Sequence, residues 1–210
     1  AKAVPPASRP LCDVYWNNEA AQTVLLADEE LLQPYVSPSA ADIPAAWKDP
    51  DGRWTGFAAR ARILIVNTER PPDEAGRPRG TEDFLDPKNA GRCGMARPLT
   101  GTTAAHAGVW LATLGVEPAL ARLRAMLANH VRFGPGNAHL MRLVRTGELD
   151  FGWTDTDDFQ AARDEGFPVA MVVPDQAAGE PGVIVIPNPV ALVAGAPHAE
   201  AGRRLIDFLL

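Results

Sequence analysis

"FAARARILIVNT", residues 57–68, ends in an unbroken apolar run and is the strongest strand candidate in the first half of the chain. It is bounded by "DPDGRW" (49–54), a turn by its Pro-Asp-Gly chemistry, and by the proline- and glycine-rich connector "ERPPDEAGRPRG" (69–80). A strand that is apolar at successive positions needs cover on both faces. The segments around it supply that cover, because helical and strand patterns alternate outward in both directions.

Upstream, "CDVYW" (12–16) reads as a strand, and "NNEAAQTVLLADEELL" as a helix with Asn17 or Asn18 as its N-cap. Downstream, "TEDFL" starts a short helix with Thr81 before Asp83 in a capping-box pattern, and "GRCGMAR" reads as a strand. "TGTTAAHAGVWLATLG" (100–115) is a helix stopped by Gly115, and "EPALARLRAMLANH" (117–130) a second with Pro118 in its first turn. Asn137 is read as the cap of "AHLMRLVRTG"; "LDFGW" is a strand, "DDFQAARDEG" a helix and "PVAMVVPD" a strand. "GVIVIPNPVALVA" (182–194) is expected as two segments broken by Pro187 and Pro189. The last helix, "PHAEAGRRLIDFLL", is expected to turn Leu205, Phe208 and Leu209 inward. The fold class is therefore α/β, with parallel sheets covered by helices. In such sheets ligands sit at the carboxyl ends of strands, beside helix N-termini.

The 210 residues allow one large domain or two small lobes, and 46% apolar content supports a packed core. A net charge of −6 without basic clusters excludes a nucleic-acid surface. There is no apolar run long enough to span a membrane. Cys12 and Cys93 lack metal-type spacing, and a disulfide forms only if the fold brings them together. The opening "AKAVPPASRP" has no signal-peptide core, which leaves a mature exported protein, a processed chain and a fragment all open.

Two constellations stand at strand ends. "RPLTGTT" puts Thr100, Gly101 and Thr102 at a helix start, where N–H groups and hydroxyls suit an anion, or else Thr100 or Thr102 merely caps its own helix. "GWTDTDD" gathers Asp155, Asp157 and Asp158 after the "LDFGW" strand. They are either hard oxygen ligands for a cation or acceptors for an amine or hydroxyl, or else Asp155 or Thr156 caps a helix whose dipole favours acids in its first turn. The four histidines share no ligand spacing, and no nucleophile elbow, phosphate loop or dinucleotide fingerprint occurs.

Six stretches in order, "DVYWNNEAAQTVLL", "LLQPYVSP", "DIPAAWKDPDGRWTGFAARARILIVNT", "PLTGTTAAHAG", "LVRTGELDFGWTDTDD" and "VIPNPVALVAGAPHAEAGRRLIDFLL", resemble the extracellular solute-binding proteins of ABC importers, in the ferric-ion-binding branch. The resemblance implies a type II periplasmic-binding-protein fold: two α/β lobes joined by crossover strands, with cargo in the cleft. Lobe 1 would be 1–68 plus 181–210, and lobe 2 would be 69–180. It implies a non-enzymatic, periplasmic or extracellular component that binds a metal or small solute and hands it to membrane permease subunits. A lipid anchor is compatible with this placing.

Carried over, the acidic iron ligand falls at Asn18 or Glu19, and the anion-holding loop at Thr100, Gly101 and Thr102. Anion-contacting asparagines fall at Asn137 and Asp155, and the paired phenolate ligands at Asp157 and Asp158. Glu19, Asp157 and Asp158 are thus the candidate ligands of iron or another hard cation. Asp155, at a normally neutral position, is expected to repel an anion, which opens the way to other cargo. Trp16 and Trp153 would pack on an organic ligand or between lobes. The usual first strand and the segment beyond "IDFLL" look absent, so a fragment, or an oligomer completing lobe 1, is expected. The rival readings are an enzyme on the same scaffold, using Glu19 with Asp157, and a remnant that binds nothing.

Overall fold

The computed structural model describes residues 10–70 and 76–210. The middle of the expected 69–80 connector and the first nine residues lie outside that description. The chain divides into two compact units. One runs up to Ala59 and resumes at Pro187–Leu210; the other is Arg60–Ile186.

In the first unit, strands β1 (Val14–Trp16) and β2 (Leu32–Gln33) both pair antiparallel with β8 (Val185–Val193). Helix α1 (Ala20–Asp28) follows β1. Its N-cap is Glu19 rather than an asparagine: the carboxylate accepts from the N–H groups of Ala21 at 2.8 Å and Gln22 at 3.1 Å. Longer than Asn and charged, that side chain satisfies two orphan donors and complements the dipole.

β8 is continuous through Pro187 and Pro189, against the expected break. The Pro189 carbonyl accepts from Asn17 N–H at 3.1 Å, and paired registers begin at Val190. On the side that faces β1, the missing prolyl donors therefore fall before the paired residues. In α6 (Ala199–Leu209), Gly202 and Ile206 are the buried positions, while Leu205 and Phe208 face outward. Of the three residues expected inward, Leu209 packs against the cluster of Val190, Leu192 and Ile206, whereas Leu205 and Phe208 do not. The inward stripe is anchored by Gly202, where a Cβ would meet Leu192 at 2.8 Å.

The second unit holds the aspartate cluster and the elements around it. Strand β3 (Thr55–Asn67) runs antiparallel to β6 (Phe151–Asp155) and β7 (Val169–Val172). β4 (Cys93–Ala96) lies parallel to β5 (Arg132–Gly134) and to β6. These pairings are thus mixed: β4 is parallel to β5 and β6, and β3 antiparallel to β6 and β7. Strands β4, β5 and β6 each lead into a helix: α2 (Gly101–Leu114), then α4 (Asn137–Arg145), then α5 (Thr156–Asp164). α3 (Val116–Ala128) follows α2. The expected helix at "TEDFL" is one 3-10 turn, Thr81–Phe84, capped one residue early because Asp83 accepts from Gly80 N–H at 3.1 Å.

Strand alternation sorts β3 cleanly. Leu64 and Val66 pack with Phe84, Trp110, Met126, Phe151 and Trp153, whereas Ile63 and Ile65 pack with Leu140, Leu143 and Val144. Both faces are dry, as the apolar run requires. Close strand approach depends on Gly152, where a Cβ would stand 2.8 Å from the Gly94 carbonyl oxygen. Cys93 is buried, and burial pushes its thiol up to about 12; Cys12 is exposed, and both are free. Among the described residues no helix is long and apolar enough to cross a membrane.

Candidate functional site

The register of β3 against β6 places Arg62 opposite Asp155, on the face that also carries Leu64 and Trp153. Both charged residues are buried, Arg62 wholly and Asp155 at 2% exposure. Arg62 Nη1 donates to Asp155 Oδ1 at 2.6 Å. Ions this dry persist only when paired and hydrogen-bonded.

The remaining bonds come from two helix starts. The Thr102 hydroxyl donates to Asp155 Oδ2 at 2.6 Å, and Asn137 Nδ2 donates to the same oxygen at 2.9 Å. Thr102 Oγ1 in turn accepts from Asn137 Nδ2 at 2.8 Å and from Arg62 Nη1 at 3.3 Å. The Thr103 hydroxyl donates to Asn137 Oδ1 at 3.0 Å, which fixes which way the amide faces. Thr102 lies in the first turn of α2, Asn137 opens α4, and Asp155 is the residue before α5. Three helix N-termini at the carboxyl ends of β4, β5 and β6 therefore meet on one carboxylate. None of the three has a side-chain cap.

The capping explanations consequently do not hold here. Asn137 is the first helical residue of α4, its cap being Gly136, and its amide is spent on Asp155 and Thr102. Asp155 occupies a cap position but turns its carboxylate to Arg62. Thr100 is exposed, and Gly101 takes φ +61°, a conformation that favours glycine, with open space where a Cβ would be.

Asp157 and Asp158 stand in the first turn of α5. A carboxylate oxygen from each of Asp155, Asp157 and Asp158 can be chosen so that all lie within 4.8 Å of one another. Asp157 is exposed and pairs with Arg60 at 3.0 Å. Asp158 is half-buried and accepts from the Thr154 hydroxyl at 2.7 Å. Burial pushes the Asp158 carboxyl above its usual range; Asp157 and Asp155 add to this, and the Thr154 bond opposes it.

Behind the pair, His106 Nδ1 accepts from Arg62 Nε at 3.5 Å, and the ring packs edge-on against Trp110 and Trp153. Burial first, then Arg62 and Arg122, hold its pKa well below 6.5, so the ring is neutral. Trp153 is core rather than surface: Phe84 stacks on it and Arg62 lies over it at 5.8 Å. In the first unit, Glu19 is buried as the α1 cap and also accepts from Asn17 Nδ2 at 2.9 Å. Asn18 is exposed, and exposed Trp16 tilts against Phe57.

Sequence reading missed Arg62, Arg60 and His106. A signal existed for the first: a lone guanidinium inside "ARILIV" needs a counter-charge wherever that strand is buried. With that cation in place, the Asp155 carboxylate is balanced at contact distance by Arg62.

Residues 22–210 match the sequence profile of a family described as bacterial extracellular solute-binding protein. The chain is 29% identical over 140 residues to an Fe(3+)-binding periplasmic protein of Serratia marcescens, covering 67% of this chain and 40% of that protein. It is also 29% identical over 188 residues to a putative 2-aminoethylphosphonate-binding periplasmic protein of Salmonella typhi, covering 88% of this chain and 53% of that one. The chain thus spans about half the length of such relatives. Its fold matches iron-bound HitA from Pseudomonas aeruginosa with a TM-score of 0.86 at 23% identity, over 96% of this chain and 65% of that one.

Proposed function

The chain belongs to the bacterial extracellular solute-binding protein family, and from that premise we propose that it captures a hard cation, ferric iron foremost, outside the cytoplasm for a membrane ABC permease. The observation that carries this reading is the crowding of Asp157 and Asp158 beside Asp155 at the start of α5. Three carboxylates face two guanidiniums, Arg60 and Arg62, which leaves one formal negative charge in excess. Burial destabilises ionised Asp158, and a cation would relieve that. Asp157 is the exposed member of its pair with the partly buried Arg60, so water screens that pair and Arg60 yields to a stronger partner. Hard carboxylate oxygens suit ferric iron, which enters here as cargo. Glu19, a committed cap, is assigned to α1 rather than to the cation.

A second reading has its own support. Three uncapped helix starts and a buried arginine form an anion-binding arrangement, and one relative is named for a phosphonate. Calorimetric titration decides between them. The cation reading expects saturable heat with Tb3+, a hard trivalent probe, lost in Asp157→Asn/Asp158→Asn, and none with 2-aminoethylphosphonate. Heat from the phosphonate alone would reverse the assignment.

A further inference from the structure

The carboxylate of Asp155 receives what a bound oxyanion receives elsewhere: a guanidinium, a hydroxyl, an amide and the positive ends of three helices. We propose that Asp155 is a tethered anion that permanently fills an anion seat built on Arg62, so that the site takes its cation with no companion anion and refuses anionic cargo. The inference rests on the cation reading for the name of the cargo; the filled seat stands independently of it.

Several observations support this. Asp155 opposes Arg62 across an antiparallel ladder, so the backbone itself sets the carboxylate at contact distance and no diffusing group is needed. Thr102 and Asn137 turn their donors to Asp155 Oδ2 and not to solvent. Arg62 engages Asp155 through Nη1, and its buried Nη2 has no hydrogen-bond partner among the described residues. A side chain held by β6 thus meets the guanidinium through one nitrogen, whereas a free carboxylate could use two.

Removing the tether should reopen the seat. Asp155→Gly deletes the carboxylate and leaves room for formate beside Arg62. The melting temperature of the parent protein should not differ between 50 mM sodium formate and 50 mM sodium chloride. Asp155→Gly should melt lower in chloride and regain about half of the loss, saturably, in formate. Arg62→Met/Asp155→Gly should show no formate response. A variant that is insoluble in chloride but folded in formate counts as rescue; one insoluble in both, or rescued equally without Arg62, overturns the proposal. Tb3+ uptake by the parent protein in phosphate- and bicarbonate-free buffer tests the cargo separately. Formate rescue without Tb3+ uptake keeps the seat and removes the cation, while Tb3+ uptake without rescue keeps the cation and removes the seat.

Discussion

Asp158 and His106 carry opposite pH signatures because burial acts on charges of opposite sign. The folded chain raises the Asp158 pKa above 3.8, so it holds that proton more tightly than the unfolded chain does. Stability from this group is present at acid pH and declines as pH rises from 3.8 through the folded value, staying lower at neutrality. Asp158→Asn keeps an oxygen for the Thr154 hydroxyl and removes the charge. Discounted for partial solvent screening, the gain at pH 7 is a few tenths of a kcal/mol, or roughly 1 °C in Tm, with cation binding lost. A lower Tm at pH 7 with binding intact would contradict the assignment.

His106 behaves the other way. Its folded pKa is depressed, so below the unfolded value of about 6.5 the unfolded chain gains a proton that the native ring refuses. Stability is lost as pH falls from there toward the folded value, at up to about 1.4 kcal/mol per pH unit for one proton. His106→Gln should flatten the acid limb of a Tm-against-pH curve by up to that slope, whatever constant packing loss it also brings. An unchanged limb would mean that His106 titrates freely.

At the scale of elements, helix starts divide by what satisfies them. α1 is closed by Glu19, whereas α2, α4 and α5 lack side-chain caps and meet around Asp155. Losing the α1 cap should cost about 1 kcal/mol, so Glu19→Ala should lower Tm by roughly 3 °C in cargo-free protein and leave Tb3+ affinity unchanged. A collapse of affinity without loss of stability would instead return Glu19 to the cargo.

Element existence was well legible in the sequence. The apolar run of β3, the glycine stop of α2 and the alternation of strand and helix all appear where periodicity puts them. Phase and partners were less so. α6 turns on Gly202 and Ile206, a stripe set by contact with Leu192 rather than by the largest side chains. β8 runs on through two prolines, and its pairing with β1 begins only at Val190. Neither fact is local, so neither could be read locally.

For the molecule as a whole, the hardest feature to foresee is the pairing of residues 93 positions apart. Sequence singled out Asp155 and passed over Arg62, since strand register between β3 and β6 is a tertiary fact. That register turns an aspartate cluster that looks wholly acidic into two parts: one sealed ion pair and one accessible pair, Asp157 with Asp158. Deleting either member of the sealed pair leaves a buried, unmatched charge, a loss of about 3–5 kcal/mol.

The most direct test is anomalous diffraction from crystals of the chain grown with Tb3+ in buffer free of phosphate and bicarbonate. The account predicts one strong peak ligated by Asp157 and Asp158 carboxylate oxygens, with Arg62 still bonded to Asp155 and no anion beside it. A peak away from α5, an Asp155 swung from Arg62 onto the metal, or a separate anion on Arg62 would contradict it.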